Sequence, residues 1–294
     1  MYQVTHRTSY RYNDPVTIGN HMACLKPRVL PHQRLHSFHL RVYPEPSSFI
    51  ERTDYFGNTL HIFSVQDQHK ELIVETRSEV DVDAKESESP ADLFPWEDAV
   101  DRLEDDRSSS ALDAYQFRFE SPRIRPSRIL ADYALQSFTP LRPLRDALVD
   151  LTSRIHHDFR FQANATSVST TVEEVFEKRC GVCQDFAHLQ IACLRSLRLA
   201  ARYVSGYLRT NPPPGMPRLV GADASHAWVS AYIPGSGWID LDPTNDVVVG
   251  NDHITVAWGR DYSDVSPLRG LILGGGVQAL QVAVDVEKIN HDNS

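Results

Sequence analysis

Hydrophobic periodicity switches once in the second half of this chain, and the switch limits what it can fold into. Before Leu197 the apolar residues recur at helical spacing, first as Leu144, Leu148, Leu151 and Ile155, then as Phe186, Ala187, Ile191, Leu194 and Leu197. From Ala201 onward the pattern is that of strands: 201–208, 226–233, 237–242, 253–258 and an alternating run from Leu280 to Val286. Helix starts are also marked. Ser127 is a natural N-cap for a helix to Phe138, Pro143 opens a helix to about Phe159, and Thr170-Thr171 begins overlapping capping boxes before a short helix ending at Lys178. A helical half followed by an antiparallel half predicts an α+β fold with a cleft where the halves meet.

The chain ahead of this region reads differently. Residues 1–82 predict an all-β, sandwich-like domain: Phe38, Leu40 and Val42 alternate, as do Leu72/Val74 and Val80/Val82, and Asp54-Tyr55-Phe56-Gly57-Asn58 supplies a turn. Its histidines (His6, His21, His32, His36, His39, His61, His69) lack the close pairing of a metal site and read as surface or strand residues. Residues 83–126 are expected to be an acidic, solvated connector anchored by Trp96, and 127–294 the core, including its C-terminal strand. The net charge of −9 argues against nucleic acid or an anionic membrane as partner. No apolar run approaches the roughly 20 residues of a membrane helix. The N-terminus has no apolar signal region, and four cysteines (Cys24, Cys180, Cys183, Cys193) do not form a disulfide framework. A reducing, cytoplasmic location is therefore expected. Nothing in the sequence specifies an oligomeric state.

Chemistry concentrates at Gly181-Val182-Cys183-Gln184-Asp185, where a helix begins. Unpaired N–H groups and the positive end of the helix dipole favour a thiolate in a first turn. A cysteine nucleophile needs a base, and the base needs an orienter. His226 opens one strand in Ser225-His226-Ala227-Trp228, and Asp242 ends the next in Leu241-Asp242-Pro243. Consecutive antiparallel strands can set the two side by side. The Cys183 N–H is a natural oxyanion donor, and the Gln184 side chain is a candidate second one. Trp228 and Tyr207 are candidate walls of the cleft, with core packing the alternative for Trp228, as for Trp238. The loop 211–221 could overhang the cleft, and Asp223 could order the approach to His226.

Four stretches resemble bacterial proteins of the transglutaminase-like superfamily, in the same order. They are Gly-Val-Cys183-Gln-Asp-Phe-Ala-His, Ala-Arg202-Tyr-Val-Ser-Gly-Tyr, Asp223-Ala-Ser-His226-Ala-Trp and Gly-Trp238-Ile-Asp-Leu-Asp242-Pro-Thr-Asn. The N-terminal stretch with Asp54-Tyr-Phe-Gly-Asn58 is similar to the β-domain that precedes the core in that group. The resemblance implies a papain-like core acting through a thioester, with Cys183 as nucleophile, His226 as base then acid, and Asp242 as orienter. It covers cross-linkers, amide hydrolases and cysteine peptidases, which makes a peptide or protein amide the expected substrate. Neither a metal nor an organic cofactor is called for, and no calcium-loop pattern is present. A non-catalytic partner-binding module on the same fold is the alternative.

Cys180 departs from that pattern by creating Cys180-Gly-Val-Cys183. A redox role would need a thioredoxin-like frame, a zinc role would enlist His188 or His226, and a Cys180–Cys183 disulfide could switch the nucleophile off. The remaining readings are structural: His188 as a packing or capping residue, Asp185 as a dipole-favoured N-terminal carboxylate, Cys193 as core, and His156-His157 as an exposed helix pair.

Overall fold

One strand organises the N-terminal half. β1 (Tyr2–Ala23) is long enough to take two partners on each side. A computed structural model describes residues 1–83, 94–163, 165–210 and 224–289. In it β2 (Gln33–Tyr43), β3 (Ser48–Thr53), β4 (Thr59–Val65) and β5 (His69–Val82) complete the first sheet of the chain's N-terminal segment. β5 pairs with the first part of β1 and β4 with its last part, so 59–82 runs antiparallel along β1. The β1 register shifts between Arg11 and Val16, opposite the break between β4 and β5. The sheet curls there, enclosing Tyr12, Val16, Phe63, Val65, Leu72 and Val74 in a cluster of its own. The predicted sandwich-like layering is thus achieved by one curled sheet, a form that bulges promote.

The histidines of this sheet are strand residues, but four are not on the surface: His6, His21, His61 and His69 are buried. His6 bonds Tyr207 Oη through Nδ1 (3.0 Å) and Thr8 Oγ1 through Nε2 (3.0 Å).

The supposed connector is largely helical where it is described. α1 (Trp96–Asp105) buries Ala99, Val100 and Leu103 on one face and leaves Asp98, Asp101 and Asp105 exposed on the other. α2 (Ser109–Tyr115) starts with Ser108 accepting from Ala111 N. Charge density suggested a solvated segment, whereas the apolar spacing within it was that of an amphipathic helix. Trp96 does anchor the stretch, donating to Thr139 O (3.1 Å) and meeting Phe138 edge-on. The acidic residues Glu86, Glu88 and Asp92, the loop 211–221 and Asp223 lie outside the described residues.

Next come α3 (Arg128–Ala134), capped by Ser127, and α4 (Leu144–Asp158). The two-residue β6 (Arg160–Phe161), α5 (Val172–Lys178, capped by Thr171), the two-residue β7 (Cys180–Gly181) and α6 (Cys183–Ser196) follow. β8 (Ala201–Leu208), β9 (Ala224–Ile233), β10 (Gly237–Asp242), β11 (Val247–Val248) and β12 (His253–Gly259) make the second sheet, ordered β11-β10-β9-β8-β12. α6 is buried nearly all round and packs on β8, β9, α3 and α5, which makes it the centre of the core.

After the short α7 (Tyr262–Val265), β13 (Leu268–Gly274) and β14 (Gln278–Lys288) do not join this sheet. Both pair with β1, β13 along 16–23 and β14 along 2–12. The expected membership of the last strand in the 127–294 core is therefore corrected. Its alternation is real, with Val284 and Val286 buried, but alternation does not say which sheet a strand joins.

β12 is an outer strand of the second sheet, and side-chain amides of the N-terminal segment satisfy its backbone. Gln33 Nε2 donates to Thr255 O (2.8 Å) while Thr255 N donates to Gln33 Oε1 (2.8 Å). Asn58 Nδ2 donates to Trp258 O (2.8 Å) while Trp258 N donates to Asn58 Oδ1 (3.0 Å). Asp54 holds Asn58 in place by accepting from its backbone N (2.7 Å) and its Nδ2 (2.8 Å). Arg28 donates to Asn58 Oδ1 and stacks on Trp258, where Arg202 also stacks. The Asp54–Asn58 turn is thus a clamp between the two sheets, and it covers an edge that would otherwise invite pairing. Asn58→Ala leaves two buried backbone groups of Trp258 without partners. It is expected to cost about 2–4 kcal/mol, at roughly 1–3 per unsatisfied group with partial relief by water, read by urea denaturation. An unchanged midpoint would mean that the clamp is dispensable.

Candidate active site

Cys183 is the first residue of α6. The turn before it is braced from two sides. β6 and β7 pair in parallel, Phe161 opposite Gly181, and Gln162 N donates to Gly181 O (2.9 Å). Asp185 reaches back from the first helical turn. Its Oδ2 accepts from Val182 N (2.8 Å) and from Thr166 Oγ1 (2.6 Å). Gly181 is required by this closeness, because a Cβ there would lie 2.8 Å from Asp185 Cβ and Oδ2. Asp185 is therefore more than a dipole partner: it is buried and fixes the turn that carries the nucleophile. Burial raises its carboxyl pKa, with the two hydrogen bonds opposing.

Adjacent strands bring the second and third residues together. His226 lies on β9 and Asp242 at the end of β10, and His226 Nε2 donates to Asp242 Oδ2 over 2.7 Å. The Cys183 thiol is the other hydrogen-bonding neighbour that raises the His226 pKa, which leaves Nδ1 as the ring atom for sulfur. Burial by itself disfavours the imidazolium. The bonds and charges of Asp242 and Cys183 overcome it and lift His226 to about 10. Burial likewise opposes ionisation of Asp242, yet its carboxyl is held well below the ordinary range by His226, His253 and Asn245.

Asp242 is unusually well supplied with donors. Oδ1 accepts from Thr244 N (2.9 Å) and Asn245 N (3.3 Å), an Asx turn made possible by the Pro243 corner. Oδ2 accepts from His226 Nε2, from Asn245 Nδ2 (2.7 Å) and from His253 Nε2 (3.1 Å). His253, at the start of β12, was missed as a site residue because it is distant in sequence and no motif marks it. His226, Asp242 and His253 also satisfy the spacing of a metal cluster, but their hydrogen-bond geometry already accounts for the arrangement. His253 Nδ1 is buried without a partner among the described residues, so Nε2 is the nitrogen through which the ring bonds Asp242. His253→Leu is expected to cost about 1–3 kcal/mol of stability. It should slow Cys183 alkylation by far less than the roughly 10²–10⁴ that an acid–base group supplies. A loss as large as that of Asp242→Ala would instead make His253 part of the proton-transfer apparatus.

A cleft of about 380 Å³ opens over the pair, lined by Phe161, Cys183, Leu208, Ser225, His226 and Asn245 among others. Three expected contributors lie elsewhere. Tyr207 is fully buried and its hydroxyl bonds His6, since odd-numbered residues of β8 face away from His226. Trp228 is fully buried against Val204 and Val249 and meets the His253 ring edge-on, so it packs beneath the histidines rather than walling the cleft. Gln184 is half-buried and is not among the residues lining this cleft. His188 is buried, accepts from Tyr262 N (3.2 Å) and is lowered by burial to about 3, in keeping with a packing role. Cys180 lies half-buried in β7, and Cys180 and Cys183 are free thiols.

Comparison with known proteins gives the same outline. Residues 2–81 match the bacterial transglutaminase-like N-terminal region and residues 131–243 the transglutaminase-like superfamily core. The uncharacterized protein Rv2569c of Mycobacterium tuberculosis is 42% identical over 99% of this chain and 94% of its own length. The crystal structure of a candidate cysteine protease from Cytophaga hutchinsonii superposes with a TM-score of 0.79, covering 100% of this chain and 92% of that one at 21% identity, a likeness of fold. A protein-glutamine gamma-glutamyltransferase of Pseudomonas aeruginosa is 30% identical over 41% of this chain and 18% of its own.

Proposed function

Because the chain belongs to the transglutaminase-like superfamily, with the bacterial N-terminal region ahead of the core, we propose that it processes carboxamide or peptide bonds through a Cys183 thioester. The observation that carries this reading is the Asp242–His226–Cys183 chain of contacts at the N-terminus of α6, opening on the cleft. His226 takes the thiol proton at Nδ1, and Asp242 holds Nε2 and balances the resulting imidazolium. The thiolate attacks the amide carbonyl. The first N–H groups of α6, which have no carbonyl inside the helix to bond, face the developing oxyanion. Collapse of the tetrahedral adduct forms the thioester, and His226 protonates the departing amine. Water then adds with His226 as base, releasing the acid and the thiol. An amine in place of water would give a new amide. Hydrolysis is preferred, since transamidation requires water to be kept from the thioester.

The test is a panel of glutamine-containing and unmodified peptides, read by mass spectrometry for backbone cleavage, side-chain deamidation and amine incorporation. At least one product is expected from the wild type and none from Cys183→Ala. No product from any peptide, together with an unreactive Cys183, would favour the partner-binding alternative.

A further inference from the structure

Three outer edges bound the curled sheet among the described residues: β2, β3, and the run formed by β13 and β14. Two carry the charges that free edges usually carry. β2 contains Arg34 and Arg41, and β3 contains Glu51 and Arg52. The third edge is different. Between Arg269 and Asp285 the chain has no ionisable side chain at all. Its apolar residues also face water: Leu271 is 81% exposed, Leu273 65%, Val277 73% and Leu280 57%. Single exposed leucines need no explanation, but a contiguous uncharged run along an open edge does.

We propose that a second copy of this chain covers the edge, pairing antiparallel about a two-fold axis at Val277. The charge pattern of the run points to a copy of itself as the occupant. Centred on Val277, an antiparallel register sets β13 of one copy against β14 of the other, twice. Leu271 then lies opposite Ala283, and Leu273 opposite Gln281. At either end Arg269 comes opposite Asp285, so the uncharged middle is bracketed by two opposite-charge pairs. The chain's net charge of −9 opposes most self-contacts, whereas this register brings no like charges together. Gly274, Gly275 and Gly276, all at positive φ (97°, 87° and 58°), carry the run around the bend of β1 and add no side chains beside the axis, where the two exposed Val277 side chains meet. The result is an isologous contact that closes on itself and extends the sheet across two subunits.

Sedimentation velocity of the full chain from about 1 to 100 μM should show a concentration-dependent dimer. Leu273→Lys with Leu280→Lys, both at exposed positions, should raise the dimer dissociation constant at least roughly tenfold with an unchanged melting temperature. Arg269→Asp should weaken the dimer, and adding Asp285→Arg should restore it, a rescue that mere loss of structure would not give. A wild type that stays monomeric throughout the range overturns the proposal. So does a dimer indifferent to these substitutions, which would place the contact elsewhere, and so does failure of the charge-swapped pair to recover.

Discussion

Asp242→Ala is expected to damage this protein twice over, in stability and in reactivity. The carboxylate is fully buried and accepts from His226, His253, the Asn245 side chain and the backbone of Thr244 and Asn245. Alanine leaves two buried imidazoles and the Asx turn without their acceptor, a loss of about 3–5 kcal/mol by analogy with breaking a buried ion pair. Amide turnover should fall by about 10⁴, because His226 loses the group that fixes its tautomer. Asp242→Asn separates the two effects. Its amide oxygen can still accept from Thr244 and Asn245, but its NH₂ then faces His226, whose Nε2 can no longer donate. Most of the stability should return while turnover stays low. The Asp242 contribution also has a definite pH window. Its folded-state pKa lies below the unfolded value of about 3.9, so the stability it adds is present above that pH and is lost only as the pH falls further. Urea midpoints and peptide turnover measured on both variants test this. Full turnover by Asp242→Asn would remove Asp242 from the orienting role.

Local signals carried much of this structure. Helix starts at Ser127, Pro143 and Thr171, and the placement of Cys183 in a first turn, follow from capping and spacing that involve only neighbouring residues. His226 and Asp242 were legible because consecutive antiparallel strands constrain each other. What escaped were relations between distant segments. β14 alternates as predicted but joins β1, since periodicity reports a buried face and not a partner. His253 reaches Asp242 only through the path from β10 to β12. Tyr207 was misread because the sheet face that a strand residue occupies depends on register: Gly206, not Tyr207, is paired with His226. Trp228 lies over that glycine, where a Cβ would come within 2.4 Å of its ring, so the two residues are fitted to one another across the sheet. The acidic stretch misled for a different reason, since its charge count concealed the helical row of Ala99, Val100 and Leu103.

His226→Ala is expected to slow alkylation of Cys183 by iodoacetamide at pH 6 by about 10² or more, the low end of what a positioned base supplies. The four cysteines provide their own controls. Burial raises the Cys24 thiol to about 12 and pushes Cys193 higher still, so neither should react in the folded protein. Cys180 is half-buried, close in sequence, and outside the His226 pair. In the wild type, Cys183 should react first, and its lead over Cys180 should persist until the pH near 10 at which His226 loses its proton. In the variant that lead should be lost. Stability should follow the same group with the opposite trend to an acid. A histidine raised on folding stabilises fully below its unfolded value of about 6.5, and that contribution is lost as the pH rises through its folded value. The wild-type melting temperature should therefore decline between about pH 7 and 10 by an amount absent from His226→Ala. Mass spectrometry of each cysteine against pH, together with thermal melts of both proteins, decides the matter. If Cys183 at pH 6 reacts no faster than Cys180 and is indifferent to residue 226, the contact between sulfur and imidazole is a packing contact, and the thioester chemistry built on it falls.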